Sequence, residues 1–257
     1  RLSEALRHHQ MAVEFEEAEI QATPPEWLLR AACELSSEYP SIRKDAMKKI
    51  LDRIDKVRHH SMFFAGSLAI MLRKDTEATL RASAARALGE LGERADVHAE
   101  SLANAIRSDS DTATRCAAMD ALAEISEEAA EPHAELVYEV ATSAPDESVR
   151  KKAAEVLGSL SDDIAAFYAE LLAQALNESA DNVERMRAVQ ALAALGPAAE
   201  PYAETVGCAS LHDCTAGVRH VAATSLSAFG EAGAGQVKLL IDALKEGDKT
   251  VRRAAAT

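Results

Sequence analysis

The chain has 257 residues, 48% apolar but only 4% aromatic, with a net charge of −14. A core built mainly from alanine and leucine favours closely packed helices over sheets, and the acidic balance argues against wrapping nucleic acid or lying on an anionic membrane. The most apolar stretch, MFFAGSLAIML at 62–72, is shorter than the roughly 18 residues that span a bilayer, so direct membrane insertion is not expected.

Residues 1–26 read as one helix, LSEALRHHQMAVEFEEAEI, with Leu2, Leu6, Val13 and Ile20 as contacts and Thr23-Pro24-Pro25 as its end. It would be a cap or the remnant of an earlier repeat. From residue 27 onward an arginine returns at nearly constant spacing: Arg43, Arg81, Arg115, Arg150, Arg185, Arg219 and Arg252, with gaps of 38, 34, 35, 35, 34 and 33. A fixed period of this length marks a solenoid.

One unit shows how the period folds. Pro132 opens a helix carrying Leu136, Val137 and Val140 on one stripe, and Ala144-Pro145-Asp146 breaks it. A second helix follows with Val149, Ala153, Ala154, Val156, Leu157 and Leu160 at helical spacing. The same frame predicts first helices at about 27–37, 62–73, 97–107, 132–143, 167–177, 201–211 and 236–245. Second helices are predicted at about 42–57, 79–91, 112–126, 147–160, 182–195, 216–229 and from 249.

A second column supports the register: His98-Ala99-Glu100, His133-Ala134-Glu135, Tyr168-Ala169-Glu170 and Tyr202-Ala203-Glu204 lie 35, 35 and 34 residues apart. In VERMRAVQALAALG two arginines compete. Elsewhere an apolar residue lies seven after the arginine (Ile50, Leu88, Leu122, Leu157, Leu226), and Arg185 keeps that spacing to Leu192, whereas Arg187 does not. Arg185 is therefore the repeat arginine, Arg187 is expected on the exposed side, and Glu184 occupies a usually apolar position and predicts a local adjustment. The 38-residue gap predicts a longer link near Arg58-His59-His60-Ser61. The chain begins at Arg1 and stops in VRRAAAT without a polar capping repeat, which reads as a segment of a longer protein.

Helix pairs of this length, with D-x-x-V-R opening the second helix and A-x-x-A-L-G-x-L-G closing it, resemble HEAT repeats, and more narrowly the short HEAT-like type named after phycobilisome lyases. The resemblance covers about 35–257. It implies an all-α, right-handed α-α superhelix of about seven two-helix repeats, 27–257, with the last incomplete. Tetratricopeptide repeats fit less well, since Trp27 is the only tryptophan, and armadillo units have three helices. The resemblance also implies a ladder between repeats that pairs the seven arginines with Asp75, Asp111, Asp146, Asp181, Asp213 and Asp248. Asp75 and Asp213 lie six residues before an arginine, and the other four lie four before. The first repeat offers only Ser41 or Glu38. A guanidinium can stay near a core when a carboxylate meets its fork of donors.

Chemistry-bearing clusters are sparse. His8-His9 and His59-His60 are adjacent pairs whose side chains diverge on a helix. The best metal candidate is His212-Asp213-Cys214 with Cys208, and ordinary turn chemistry accounts for it better. The four cysteines (Cys33, Cys116, Cys208, Cys214) are too scattered for a disulfide framework and point to reduced thiols in an intracellular chain whose compartment stays open. AFGEAGAGQ at 228–236 lacks the lysine and strand of a phosphate-binding loop. No catalytic, cofactor or metal residue is assigned.

Charge distribution is more informative. The outward positions of the second helices hold seven basic against three acidic residues, whereas the first helices and turns carry Glu100, Glu131, Glu135, Glu139, Glu170, Glu200 and Glu204. The resemblance implies that second helices line the concave side. Lys44, Lys48, Arg86, Lys151, Lys152, Arg187, His220 and Arg253 are therefore the candidate partner-binding face, suited to an acidic segment of another protein. The expected function is a non-catalytic protein-interaction scaffold or adaptor within a larger assembly. The alternative is a HEAT-like lyase or chaperone acting on a pigment-protein or another protein.

Overall fold

The structure, a computed structural model, describes residues 23–236 together with 241, 245, 249 and 252. Among the described residues every regular element is helical. Six helix pairs follow one another: α1 (Glu26–Glu34) with α2 (Pro40–Leu51), α3 (Ala65–Lys74) with α4 (Ala78–Glu90), α5 (Ala99–Ser108) with α6 (Thr112–Glu124), α7 (Ala134–Ser143) with α8 (Glu147–Leu160), α9 (Asp162–Glu178) with α10 (Asn182–Leu195), and α11 (Ala203–His212) with α12 (Ala216–Ser225). Residues 241, 245, 249 and 252 are helical, within the expected seventh pair. The rest of that pair, and the helix expected before Thr23, lie outside the described residues.

Local chemistry explains the boundaries. Second helices α6, α8 and α10 start where Asp111, Asp146 and Asp181 accept the backbone N–H of Thr114, Ser148 and Val183 at 2.8, 2.9 and 2.8 Å. Pro40 opens α2, where its missing N–H costs nothing. Pro132 does not open α7 as the sequence suggests; it sits in a 3₁₀ turn, and α7 begins at Ala134. Conversely, α9 starts five residues earlier than expected because Ser161 caps it. The second helix expected through residue 57 breaks after Leu51 and resumes as a single turn over Ile54–Val57, and a 3₁₀ turn over Arg58–Phe63 completes the long link.

The core is one continuous strip between the two layers. Ile50, Leu88, Leu122, Leu157, Leu192 and Leu226, each seven residues after a repeat arginine, are at most 1% exposed. Facing them, Leu68, Leu102, Val137, Leu172 and Val206 from the first helices are fully buried. Each such side chain contributes roughly 1.5–3 kcal/mol by leaving water.

The layers differ in spacing. Second helices stack directly on one another along the array, whereas the later first helices are held apart by linking segments. Two glycines mark the close approach. A Cβ on Gly158 in α8 would lie 1.9 Å from the Leu195 carbonyl oxygen of α10, and one on Gly89 in α4 would lie 2.8 Å from the Ala121 Cα of α6. The second helices are therefore the more closely spaced layer.

Candidate protein-binding face and its arginine ladder

Three arginines reach from one repeat into the next. Arg43 holds Asp75 through Nε and Nη2 at 2.6 and 2.8 Å, Arg81 holds Asp109 at 2.7 and 2.8 Å, and Arg185 holds Asp213 at 2.8 and 3.0 Å. These are two-pronged, charge-assisted contacts between side chains that are mostly buried. The remaining nitrogen of each arginine turns back into its own repeat. Nη1 of Arg43, Arg81, Arg150, Arg185 and Arg219 donates to the carbonyl six residues earlier, on Ser37, Asp75, Ala144, Ser179 and Asp213, at 2.7–2.9 Å. These carbonyls lie at or just beyond the end of each first helix, where unsatisfied acceptors and the helix dipole favour a cation. Each guanidinium therefore ties helix end to helix start, and a paired one also ties neighbour to neighbour.

The rung carboxylate is thus the residue six before the next arginine, which corrects the expected ladder. Arg81 takes Asp109, not Asp111. Asp111, Asp146 and Asp181 are helix caps instead, and none bonds an arginine. Asp146 also accepts a hydrogen bond from Thr112 of the preceding repeat at 3.2 Å. The sequence signal for Asp109 was available: it stands six before Arg115, as Asp75 stands before Arg81 and Asp213 before Arg219. The four-residue match at Asp111 concealed it. In the two central repeats the slot holds Ala144 and Ser179, so among the described residues Arg115 and Arg150 meet no carboxylate; Arg115 Nε donates to the Ile106 carbonyl at 2.9 Å. Asp248 lies outside the described residues, and Arg252 is exposed.

Each paired aspartate also accepts the backbone N–H two residues on, from Glu77, Asp111 and Thr215, at 2.8–2.9 Å. Burial alone would raise the Asp109 and Asp213 carboxyls, but the arginine and backbone hydrogen bonds, with the arginine charge, hold both below the usual range. The aspartate hydrogen bonds raise Arg43, Arg81 and Arg185 in turn.

Burial, aided by Arg73, lowers His98. Its unfolded state binds the proton first, so its contribution is complete above about pH 6.5 and declines below it. Asp109 and Asp213 act lower: their contribution is complete above about pH 4 and is lost as pH falls through their depressed values. Glu124, raised by burial and by Asp120 and Glu90, works in the opposite sense. Urea midpoints should therefore fall between neutral pH and mildly acid pH by less in His98→Tyr than in the parent. Tyrosine already fills this column at Tyr168 and Tyr202, and an equal fall in both proteins would assign the drop to other groups.

The eight candidate face residues divide by what holds them. Lys44 pairs with Glu77 at 2.7 Å, and Lys152 lies between Asp120 and Glu155 at 3.1 and 3.2 Å. Arg187 is not on the exposed side; it is half-buried and donates to the Thr142 carbonyl at 3.2 Å. His220 is half-buried with its Nδ1 enclosed. Arg253 lies outside the described residues. Lys48, Arg86 and Lys151 remain exposed, Lys151 with only a 4.0 Å contact to Glu155. Glu184 also stays at the surface, accepting from Ser179 Oγ at 2.5 Å while Arg185 beside it is buried.

Two clefts open among the second helices. One, of about 300 Å³, has Lys44, Lys48 and Asp52 as its charged lining, with Met47, Leu51 and Thr79 between them. The other, of about 260 Å³, crosses α8, α10 and α12 and is lined by Glu147, Arg150, Lys151, Gln190, Ser225 and Ala228, with alanines between them. The seven first-helix and turn glutamates from Glu100 to Glu204 are all exposed, on the other layer.

The His212, Asp213, Cys214 and Cys208 cluster does not assemble into a site: Asp213 is taken by Arg185, and Cys214 Sγ lies 3.4 Å from the same guanidinium. Among the described residues no three His, Cys, Asp or Glu side chains converge as metal ligands, and no helix is long and apolar enough to cross a membrane. The four cysteines are unpaired.

Helix pairs that bury one shared core and add neighbours without closing define an α-solenoid. A model of HEAT repeats matches residues 67–158 and, overlapping it, 99–193; the chain carries HEAT repeats over this stretch. No curated protein matches the sequence. Among solved structures, the CpcE–CpcF complex of phycocyanin lyase from Nostoc is 22% identical, with a TM-score of 0.45 over 92% of this chain and 95% of that one. Kap121p bound to Nup53p is 16% identical, with a TM-score of 0.48 over 90% of this chain and 28% of that one. A structure of microtubule plus-end tracking by XMAP215, CLIP-170 and EB1 is 16% identical, with a TM-score of 0.43 over 90% and 88%.

Proposed function

We propose that this chain is a protein-interaction scaffold whose concave, second-helix face receives an acidic segment of a partner. The observation that carries the reading is the placement of three exposed cations with at most weak internal pairing on the second helices. Lys48, Arg86 and Lys151 stand exposed there, whereas the first helices present Glu100, Glu135, Glu170 and Glu204. In a chain of net charge −14 this basic strip would steer an acidic segment inward and repel it elsewhere.

Extended solenoid surfaces bind extended partners, and affinity comes from several repeats acting together. Charge reversal at Lys48, Arg86 and Lys151, which leaves every rung and every buried contact intact, should abolish capture of the native partner at low salt. Retained capture by the folded triple variant would refute the inner face as the binding surface. Equivalent reversal of Glu100, Glu135 and Glu170 should leave capture intact.

A further inference from the structure

The ladder has a vacancy at Arg150. Arg43, Arg81 and Arg185 each present the Nε–Nη2 edge of the guanidinium to a carboxylate from the next repeat. Arg150 has the same position and the same Nη1 bond to the carbonyl six residues back, at 2.7 Å, with a second to Pro145 at 3.1 Å. Its Nε, however, is buried and has no acceptor. The slot that would hold an aspartate contains Ser179, whose hydroxyl donates to Glu184 and accepts from the Asp181 N–H at 3.1 Å. A buried donor on a charged group without a partner is costly.

Arg150 also lines the 260 Å³ cleft across α8, α10 and α12. Beside it stand Lys151, almost free of internal pairing, and Gln190, whose side-chain amide has no partner among the described residues. Glu147 is the single acid on the lining, at the exposed first turn of α8, and the floor between the polar groups is alanine.

We propose that this cleft is a carboxylate-binding pocket, and that a glutamate from an acidic protein segment completes the vacant rung at Arg150. The inference rests on the concave-face reading and makes it local. A carboxylate entering here gains the fork geometry that Arg185 offers Asp213, the charge of Lys151 and an amide donor from Gln190. The alanine floor suits the aliphatic stem of glutamate, which reaches further than aspartate.

The test uses fluorescein-labelled octaglutamate and fluorescence anisotropy at low salt, with folding of each variant checked by circular dichroism. The parent should bind the probe. Arg150→Gln should weaken binding on the order of tenfold or more, the loss expected for a charge-assisted contact. Ser179→Asp should place an internal carboxylate in the slot, raise the melting temperature and weaken binding similarly, with the exposed Glu184 turning to solvent. Parent-like binding by folded Arg150→Gln would overturn the pocket. Parent-like binding by a Ser179→Asp variant with a raised melting temperature would do the same. If Lys48→Glu with Arg86→Glu abolishes binding while Arg150→Gln does not, the groove stands and the pocket falls. If the parent fails to bind the probe, the pocket falls, and partner capture by the triple reversal still decides the groove.

Discussion

Arg185→Ala should destabilise the chain by about 3 kcal/mol, the scale for removing one partner of a buried ion pair. Both side chains are about 8% exposed, so Asp213 would be left as a buried charge with its oxygens short of donors. The Ser179 carbonyl at the end of α9 would lose its donor as well. Loss should be largest in α9 to α12, read as faster amide exchange there than in α4 to α6. Arg185→Ala combined with Asp213→Ala should recover part of the loss, because removing both partners leaves no uncompensated charge. Arg150→Ala removes no carboxylate contact and should cost clearly less. Equal urea midpoints for Arg185→Ala and Arg150→Ala would show that the carboxylate rung adds nothing to stability.

Gly158→Ala should cost a comparable amount, about 2–3 kcal/mol, although alanine is the better helix former by about 1 kcal/mol. The added Cβ would sit 1.9 Å from the Leu195 carbonyl oxygen, a backbone atom at the end of α10. Relief requires α8 and α10 to separate, and that would open the second-helix layer along the stretch where Leu157 and Leu192 are buried. Gly66→Ala is the control: its Cβ meets nothing within 4 Å in α3, so it should be neutral or stabilising by up to about 1 kcal/mol. Thermal melting of the two variants should move in opposite directions. A Gly158→Ala variant that melts at or above the parent temperature would show that α8 and α10 separate at this point without cost.

The pattern of repeats was legible because its physics is local. An arginine, an apolar residue seven later and a helix-breaking turn recur in each unit, and each is set by helical period and backbone preference. The choice of Arg185 over Arg187 needed only that spacing, and Leu192 lies buried beside the other five residues of its column. The candidate face was legible as a set of positions but not as a set of free charges. Lys152 and Arg187 belong to it by register, yet Asp120, Glu155 and the Thr142 carbonyl hold them, two of these three from neighbouring repeats.

By itself the sequence determined the helix pairs, the period, the register and the composition of each layer, because these follow from contacts within one repeat. Only the tertiary structure decided which carboxylate meets which arginine. Asp109 and Asp111 are two residues apart, and both are plausible partners by charge. The stacking of one pair on the next turns the first toward Arg81 and leaves the second at the start of α6. The vacancy at Arg150 was hidden for the same reason: it exists only where the preceding and following repeats meet, and its partner slot, Ser179, lies in a different unit from the guanidinium.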